Sequence, residues 1–568
     1  MTGIIRENMR KFLVSWLLIV ALTAPLTHSY AQSVTSFASA TVPAAARQSA
    51  ELITAAQLRD YLYFVASDEM EGRDTPSRGL NTVAKFIALN LSRWGLKPGG
   101  DGGTYFQKII LRRSKLDAPR TEAELNGRKF SFGEDFYAAL NPGRASGQLV
   151  YVGHGWVIRN KNIDAYRGVD IKDKIVVFYG GGLPKGAVLN DLSGRQGDEW
   201  DTPAEYARKH GARGAIIIPD SRVLTTLTAR RQVLLEQRGS FNAEKSEQSD
   251  TSQMPIITAS PGMIKALFQG EKIDAPEIFN RREAGDPGQS FELSPEKRMT
   301  FTVANAYDET ETQNVIGILE GSDPVLKNEY VVVGAHYDHV GMRAASATAA
   351  TTGDRIYNGA DDDGSGTVSV LAMAEALSHS PQRPKRSVLF IWHTGEEKGL
   401  WGSQYFTEHP TVPLASIITQ LNIDMIGRSK RAGDMTPANH SLTGPNEIYV
   451  IGSKMMSTDL GQLSEAVNKS YLNLAFNYLY DNPADPNRFF FRSDHFMYAR
   501  KGIPIIFYFD GEHEDYHKPG DSPDKIDYQK MEKVARTIYV MLLELANIKA
   551  RPRVDKPLSP ELIKNSGF

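Results

Sequence analysis

Apolar positions near the start of the folded part of the chain recur at helical spacing. Leu58, Leu62 and Val65 share one face, and a second helix is predicted over 79–94. Between them, SDEMEGRDTPSRG (67–79) reads as a polar connector. From about 140 to 278 the texture changes to short β runs broken by glycine: QLVYVGHG (148–155), KIVVFYGGG (174–182), GAIIIP (214–219) and MPIITAS (254–260), with one helix at 203–210. After the polar segment 279–299, apolar runs alternate with helix-like stretches such as 366–378 and 460–471. The runs are NVIGILEG (314–321), EYVVVGAHY (329–337), SVLFIWHT (387–394), IITQLNIDMIG (417–427), EIYVIG (447–452) and GIPIIFYF (502–509). Near-continuous apolar strands are those covered on both faces. The expected fold class is therefore α/β, a three-layer sandwich with a central mixed, mostly parallel sheet, plus a β-rich inserted domain. Sites in such sheets form in crevices at strand ends.

With 568 residues the chain exceeds one ordinary core. The expected divisions are 1–31, a signal segment; 32–50, a disordered linker; 51–139, the first part of the main domain; 140–278, the insert; 279–299, a linker; 300–550, the main domain; and 551–568, a tail. The first of these rests on Arg6, Arg10 and Lys11, the apolar stretch 12–24 and Ser29-Tyr30-Ala31 ahead of Gln32. The apolar run falls short of the roughly 20 residues that span a bilayer. Export to the periplasm or medium with cleavage after Ala31 is expected, with no stable membrane anchor.

Lys+Arg 65 against Asp+Glu 67 leaves no global field for nucleic acid. Cysteine is absent, which removes disulfides, thiol catalysis and thiolate metal sites. A metal here must sit on imidazole and carboxylate, a set that suits Zn, Mn, Co or Fe.

Four motifs supply such groups at the ends of predicted strands. In VVVGAHYDHVG (331–341), His336 and Asp338 are alternate residues of an extended segment and share a face. His336 is a candidate ligand and Asp338 a group that holds its ring. GADDDGSG (359–366) crowds three carboxylates at a helix start, and a dication is the simplest compensation; the spacing does not fit a calcium loop of the EF-hand type. Glu396 and Glu397 are adjacent and point apart, so one can bind metal while the other acts as a base. Asp424 is hemmed by Leu421, Ile423, Met425 and Ile426, where a charge needs a metal or a salt bridge. A late piece, EDYHKPGD (514–521), adds His517. Asp362, Glu397 and Asp424, with one hydroxide, balance two dications and leave Glu396 free to gain and lose a proton. His154 and His210, in the β-rich segment, fall outside this set.

Together these pieces resemble metallo-aminopeptidase family M28, whose members hydrolyse peptides with two zinc ions on a zinc-exopeptidase fold. The resemblance covers about 314–527 and the N-terminal helical region. It implies that His336 and Asp424 hold one zinc, Glu397 and His517 the other, and Asp362 bridges both, with Mn²⁺ or Co²⁺ as possible substitutes. It further implies Glu396 as general base, Tyr516 as a donor to the oxyanion, and Arg492 in FFFRSDHF (489–496) near bound substrate. The helix at 203–210 followed by HGARGAIII resembles the protease-associated domain. The expected activity is release of N-terminal residues from peptides. The alternatives are a carboxypeptidase, with Arg488 and Arg492 holding a substrate carboxylate, and a non-enzymatic binding module.

Overall fold

The computed structural model describes residues 40–220, 222–224, 238–243, 254–285, 289–343 and 353–566. The expected signal segment lies outside the described residues. Two large sheets organise the chain. The first has ten strands in the order Arg238–Ala243, Phe106–Leu116, Asn305–Leu319, Ser387–His393, Tyr330–His336, Ile417–Ile423, Ile505–Phe509, Glu447–Ile451 and Ala475–Asn477, with Lys97–Pro98 paired to Asn305–Leu319. All six apolar runs of the later chain become strands of this sheet.

Alternation along each central strand divides its side chains between two cores. Val331, Val333 and Ala335 join Leu58, Leu62 and Val65 of helix Ala55–Val65 on one face, with helices Gly366–Ser378 and Tyr528–Asn547. Val332 and Leu389 join Phe406 of helix Trp401–Glu408 and Phe496 of helix His495–Ala499 on the other. The sheet is thus covered on both sides, which is why its strands read as unbroken apolar runs.

Parallel pairing is less extensive than expected. It joins Tyr330–His336 to both neighbours, Ile417–Ile423 to Ile505–Phe509, and Glu447–Ile451 to Ala475–Asn477. The other pairings of the sheet are antiparallel. The cause is topological: Phe106–Leu116 leads into the second sheet unit and Asn305–Leu319 returns from it, and the two run side by side from Phe106 opposite Val315 to Leu116 opposite Asn305. An insertion whose ends leave and return together makes an antiparallel pair.

The second, nine-stranded sheet runs Arg128–Phe130, Glu122–Leu125, Arg298–Val303, Gly143–Tyr151, Ile175–Tyr179, Gly214–Ile218, Ile256–Ala259 and Phe136–Ala138, with Phe291–Glu292 on Gly143–Tyr151. This unit spans 122–303, wider than the expected 140–278. The added strands Glu122–Leu125 and Arg298–Val303 alternate more and less buried positions, the period-two signature of half-buried strands. The expected linker 279–299 holds the end of helix Ala275–Ala284 and strand Phe291–Glu292.

Two further segments are more ordered than their composition suggests. Within 32–50, helix Ala44–Ala50 buries Ala46, Ser49 and Ala50. In the expected tail, helix Pro560–Lys564 forms, and Val554, Leu558 and Leu562 pack on the core that holds Phe406.

Candidate metal centre

The carboxyl ends of the central parallel strands carry the acid and histidine motifs, and the fold brings them to one place. His336 ends its strand, with Nε2 3.2 Å from Asp362 Oδ1, 3.5 Å from Asp424 Oδ1 and 4.0 Å from Glu396 Oε2. His517 Nε2 lies 3.0 Å from Asp362 Oδ2 and 3.1 Å from Glu397 Oε2. Asp362 therefore stands between two groups, one with His336 and Asp424 and the other with Glu397 and His517. Glu396 and Glu397 diverge as adjacent residues should, the first toward His336 and the second toward His517.

The ring of His336 is set by Asp338, through its backbone rather than its side chain. Nδ1 meets the Asp338 carbonyl at 3.1 Å, while the carboxylate stays 3.7 Å away and accepts the Glu396 N–H at 3.1 Å. With Nδ1–H donating to that carbonyl, Nε2 is left to face Asp362 and Asp424.

The acid triplet divides its labour. Asp363 accepts the backbone N–H groups of His336, Gly366 and Met425, at 3.2, 2.9 and 3.2 Å. Asp361 accepts from Gly427 N at 2.7 Å and itself donates its N–H to Asp521. Only Asp362 is left to face the cavity. Glycine is required beside it, because a Cβ at Gly359 would lie 2.3 Å from the Asp362 carbonyl oxygen and 2.5 Å from the His339 ring.

Three residues that the motif reading did not single out belong here. His339 is fully buried with Nδ1 2.7 Å from Glu397 Oε1 and 3.7 Å from Asp362 Oδ2. It sits three positions after His336 in the same motif, where a second histidine was the available signal. Arg73, in the segment read as a connector, is fully buried and donates to the carbonyls of Tyr337, Val65, Asn358 and Gly359 at 3.0, 3.0, 2.6 and 2.9 Å. One guanidinium thus ties the loop after His336 to the loop before Asp362. Its partners are backbone carbonyls, which leave no trace in sequence. Glu512, the third, pairs with Arg492 at 2.7 Å.

The electrostatics are those of a site built for cations. Burial alone would lower His336, but Asp424 and Glu396 hold it well above the usual imidazole range. His517 is pushed up to about 10 by Asp362 and Glu397 against the opposing effect of burial. Burial opposes ionisation of Asp362, yet His339, His336 and His517 keep it well below the ordinary carboxylate value. Burial raises Glu396 well above its ordinary value; His336 opposes the rise and Asp424 and Glu397 add to it. Asp362 Oδ2, Glu397 Oε1, His517 Nε2 and both His339 nitrogens are buried without an aligned hydrogen bond. Donor atoms that crowd without pairing fit a divalent ion, since like charges about 4 Å apart repel by roughly 4 kcal/mol even at the effective dielectric of a protein surface. Two groups have donor atoms within 4.8 Å of one another: His339, Asp362, Glu397 and His517, and His336, Asp363 and Asp424, the Asp363 oxygens of the second being already engaged by backbone N–H groups.

Beside the acids opens a pocket lined by Met425, Phe489, Phe507 and Phe509 together with Arg492, Glu512 and Tyr516. Arg492 reaches Tyr516 Oη at 3.4 Å. Arg488, the other expected carboxylate holder, instead donates to the carbonyls of Asn565 and Ser566 at 3.1 and 2.8 Å. It precedes the turn Phe489–Phe491, of which Phe489 lines the pocket.

Residues 314–542, which contain every one of the proposed ligands, match the family model described as Peptidase family M28. Leucine aminopeptidase 2 of Trichophyton equinum is 23% identical over 373 residues, covering 59% of this chain and 67% of that protein. Aminopeptidase YwaD of Bacillus subtilis (strain 168) is 23% identical over 344 residues, covering 58% and 66%. Among solved structures, the aminopeptidase from Aneurinibacillus sp. strain AM-1 aligns over 90% of this chain and 98% of its own, with 17% identity and a TM-score of 0.44.

Proposed function

We propose that this chain is an exported, zinc-dependent aminopeptidase that releases N-terminal residues from peptides at a two-metal site. The observation that carries the reading is the meeting of His336, Asp362, Glu397, Asp424 and His517 at one cluster of strand ends. The aminopeptidase names of the relatives point the same way. His336, Asp362 and Asp424 would hold one zinc and Asp362, Glu397 and His517 the other, with Mn²⁺ or Co²⁺ as substitutes; the histidine and carboxylate donor set suits these ions. When bound, the pair supplies Lewis acidity at the scissile carbonyl and brings the pKa of water to about 7.

The protein side chains do the rest. Glu396 Oε2 takes a proton from the attacking water and returns it to the leaving amine nitrogen, a role worth roughly 10²–10⁴ in rate. Burial of Glu396 raises its proton affinity, as that shuttle requires. The Tyr516 hydroxyl donates to the carbonyl oxygen as negative charge develops there. The Asp338 carbonyl keeps the His336 ring from turning. The pocket beside the acids, with Met425, Phe489, Phe507 and Phe509 in its lining, receives the first side chain of the substrate. The 122–303 unit is read as a protease-associated-like domain, and export predicts a mature chain that begins at Gln32.

Blocked peptides test the activity. A tripeptide with an amidated carboxyl end should be cleaved and one with an acetylated amine should not. The opposite pattern would make the enzyme a carboxypeptidase, and absence of cleavage with no bound metal would leave a binding module.

A further inference from the structure

Arg492 is the single basic side chain on the pocket wall, and it is held on two sides. Its Nη2 donates to Glu512 Oε1 at 2.7 Å and reaches Tyr516 Oη at 3.4 Å, while its guanidinium lies 4.9 Å from the centre of the Phe489 ring. Of the acids on the wall, Asp362, Glu396 and Asp424 gather at the metal end, and Glu512 stands apart with the arginine. On the proposed two-metal reading the first three answer to the ions and the catalytic proton. The region beyond them then contains one matched ion pair and the apolar surface of Met425, Phe489, Phe507 and Phe509.

We propose that Glu512 is a specificity-determining residue: by occupying Arg492 it stops the pocket from accepting an acidic first side chain. The inference rests on the aminopeptidase reading and adds to it the residue that excludes acidic side chains. A carboxylate entering the pocket would have to displace Glu512 from Arg492 to find a partner, and that exchange costs affinity. An apolar side chain meets aromatic surface and leaves the pair intact. With Glu512 neutral, Arg492 would face the pocket as an unbalanced cation with guanidinium geometry suited to a carboxylate.

The test compares leucyl- and glutamyl-p-nitroanilide as substrates of the zinc-loaded full chain, the Glu512→Gln variant and the double variant Glu512→Gln/Arg492→Met. The wild type should cleave the leucyl compound and discriminate against the glutamyl one. Glu512→Gln should raise the glutamyl-to-leucyl ratio of kcat/KM by about tenfold or more, and the double variant should lose that gain. An unchanged ratio in Glu512→Gln would overturn the proposal while leaving the aminopeptidase reading intact. So would a gain that persists without Arg492, since it would trace to Glu512's own repulsion. Failure of the wild type on both substrates would instead overturn the aminopeptidase reading, and this inference with it.

Discussion

Two histidines withdrawn from water, one in each sheet unit, are shifted in opposite directions. His154 follows strand Gly143–Tyr151 of the second sheet, and burial, its only cause of shift, lowers it to about 4. His517, near the strand ends of the first sheet, is also opposed by burial, yet Asp362 and Glu397 raise it to about 10. Both sheets have parallel strands whose carboxyl ends open into a crevice. In the second, those ends are finished with glycine, as at Gly153 and Gly180–Gly181–Gly182. In the first they carry His336 and His393 and lead into Asp424 and the 359–366 loop. Burial by itself keeps an imidazole neutral, and only burial beside carboxylates makes it part of a cation site. His393 and His495 repeat the first case inside the first unit, each lowered to about 3, with burial the largest cause.

The contrast predicts where substitutions matter. Glu396→Gln should retain metal and lower kcat by roughly 10²–10⁴, whereas His154→Gln should leave kcat and metal content at the wild-type level. Steady-state kinetics with metal analysis checks both, and equal losses would break the contrast between the units. Next in size is Arg73→Met, which strands four buried carbonyls. A stability loss of roughly 3 kcal/mol is expected from denaturant unfolding, together with weaker zinc binding as the two ligand loops part.

The smallest effects are in pH. His154 has a folded pKa below the ordinary 6.5, so the unfolded chain takes up its proton first. Its contribution to stability is complete above about 6.5 and is lost as the pH falls toward about 4. In metal-free protein His517 has the opposite sign: its contribution is complete below about 6.5 and is lost as the pH rises through about 10. Ring-proton NMR titrations of the chelated protein should show His517 protonated and His154 neutral at pH 7. Matching titrations would remove the distinction drawn between the two sites.

Much of the first unit was legible because its strands are buried on both faces, so their sequences are apolar without interruption and end in charged motifs. Leu58, Leu62 and Val65 announced their helix for a similar reason, as one stripe packed on the main core. What escaped notice depends on groups that carry no side-chain pattern or on pairing partners distant in sequence. Arg73 acts on carbonyls contributed by residues up to 286 positions away. Glu512 has meaning only beside Arg492, twenty residues earlier. The sheet is mixed, as expected, but less parallel than expected, in part because the strands that enter and leave the insertion pair antiparallel. The bounds of the second unit were drawn too tightly because Glu122–Leu125 and Arg298–Val303 are half-buried strands whose alternating pattern gives no continuous apolar run.

The central claim is that side chains from five separate motifs hold two cations, with Asp362 between them. Anomalous diffraction from zinc-loaded crystals, collected on both sides of the zinc absorption edge, tests it directly. The account predicts two peaks flanking the Asp362 carboxylate, one against His336 and Asp424 and the other against Glu397 and His517. A single peak, or peaks bound elsewhere on the molecule, would contradict it.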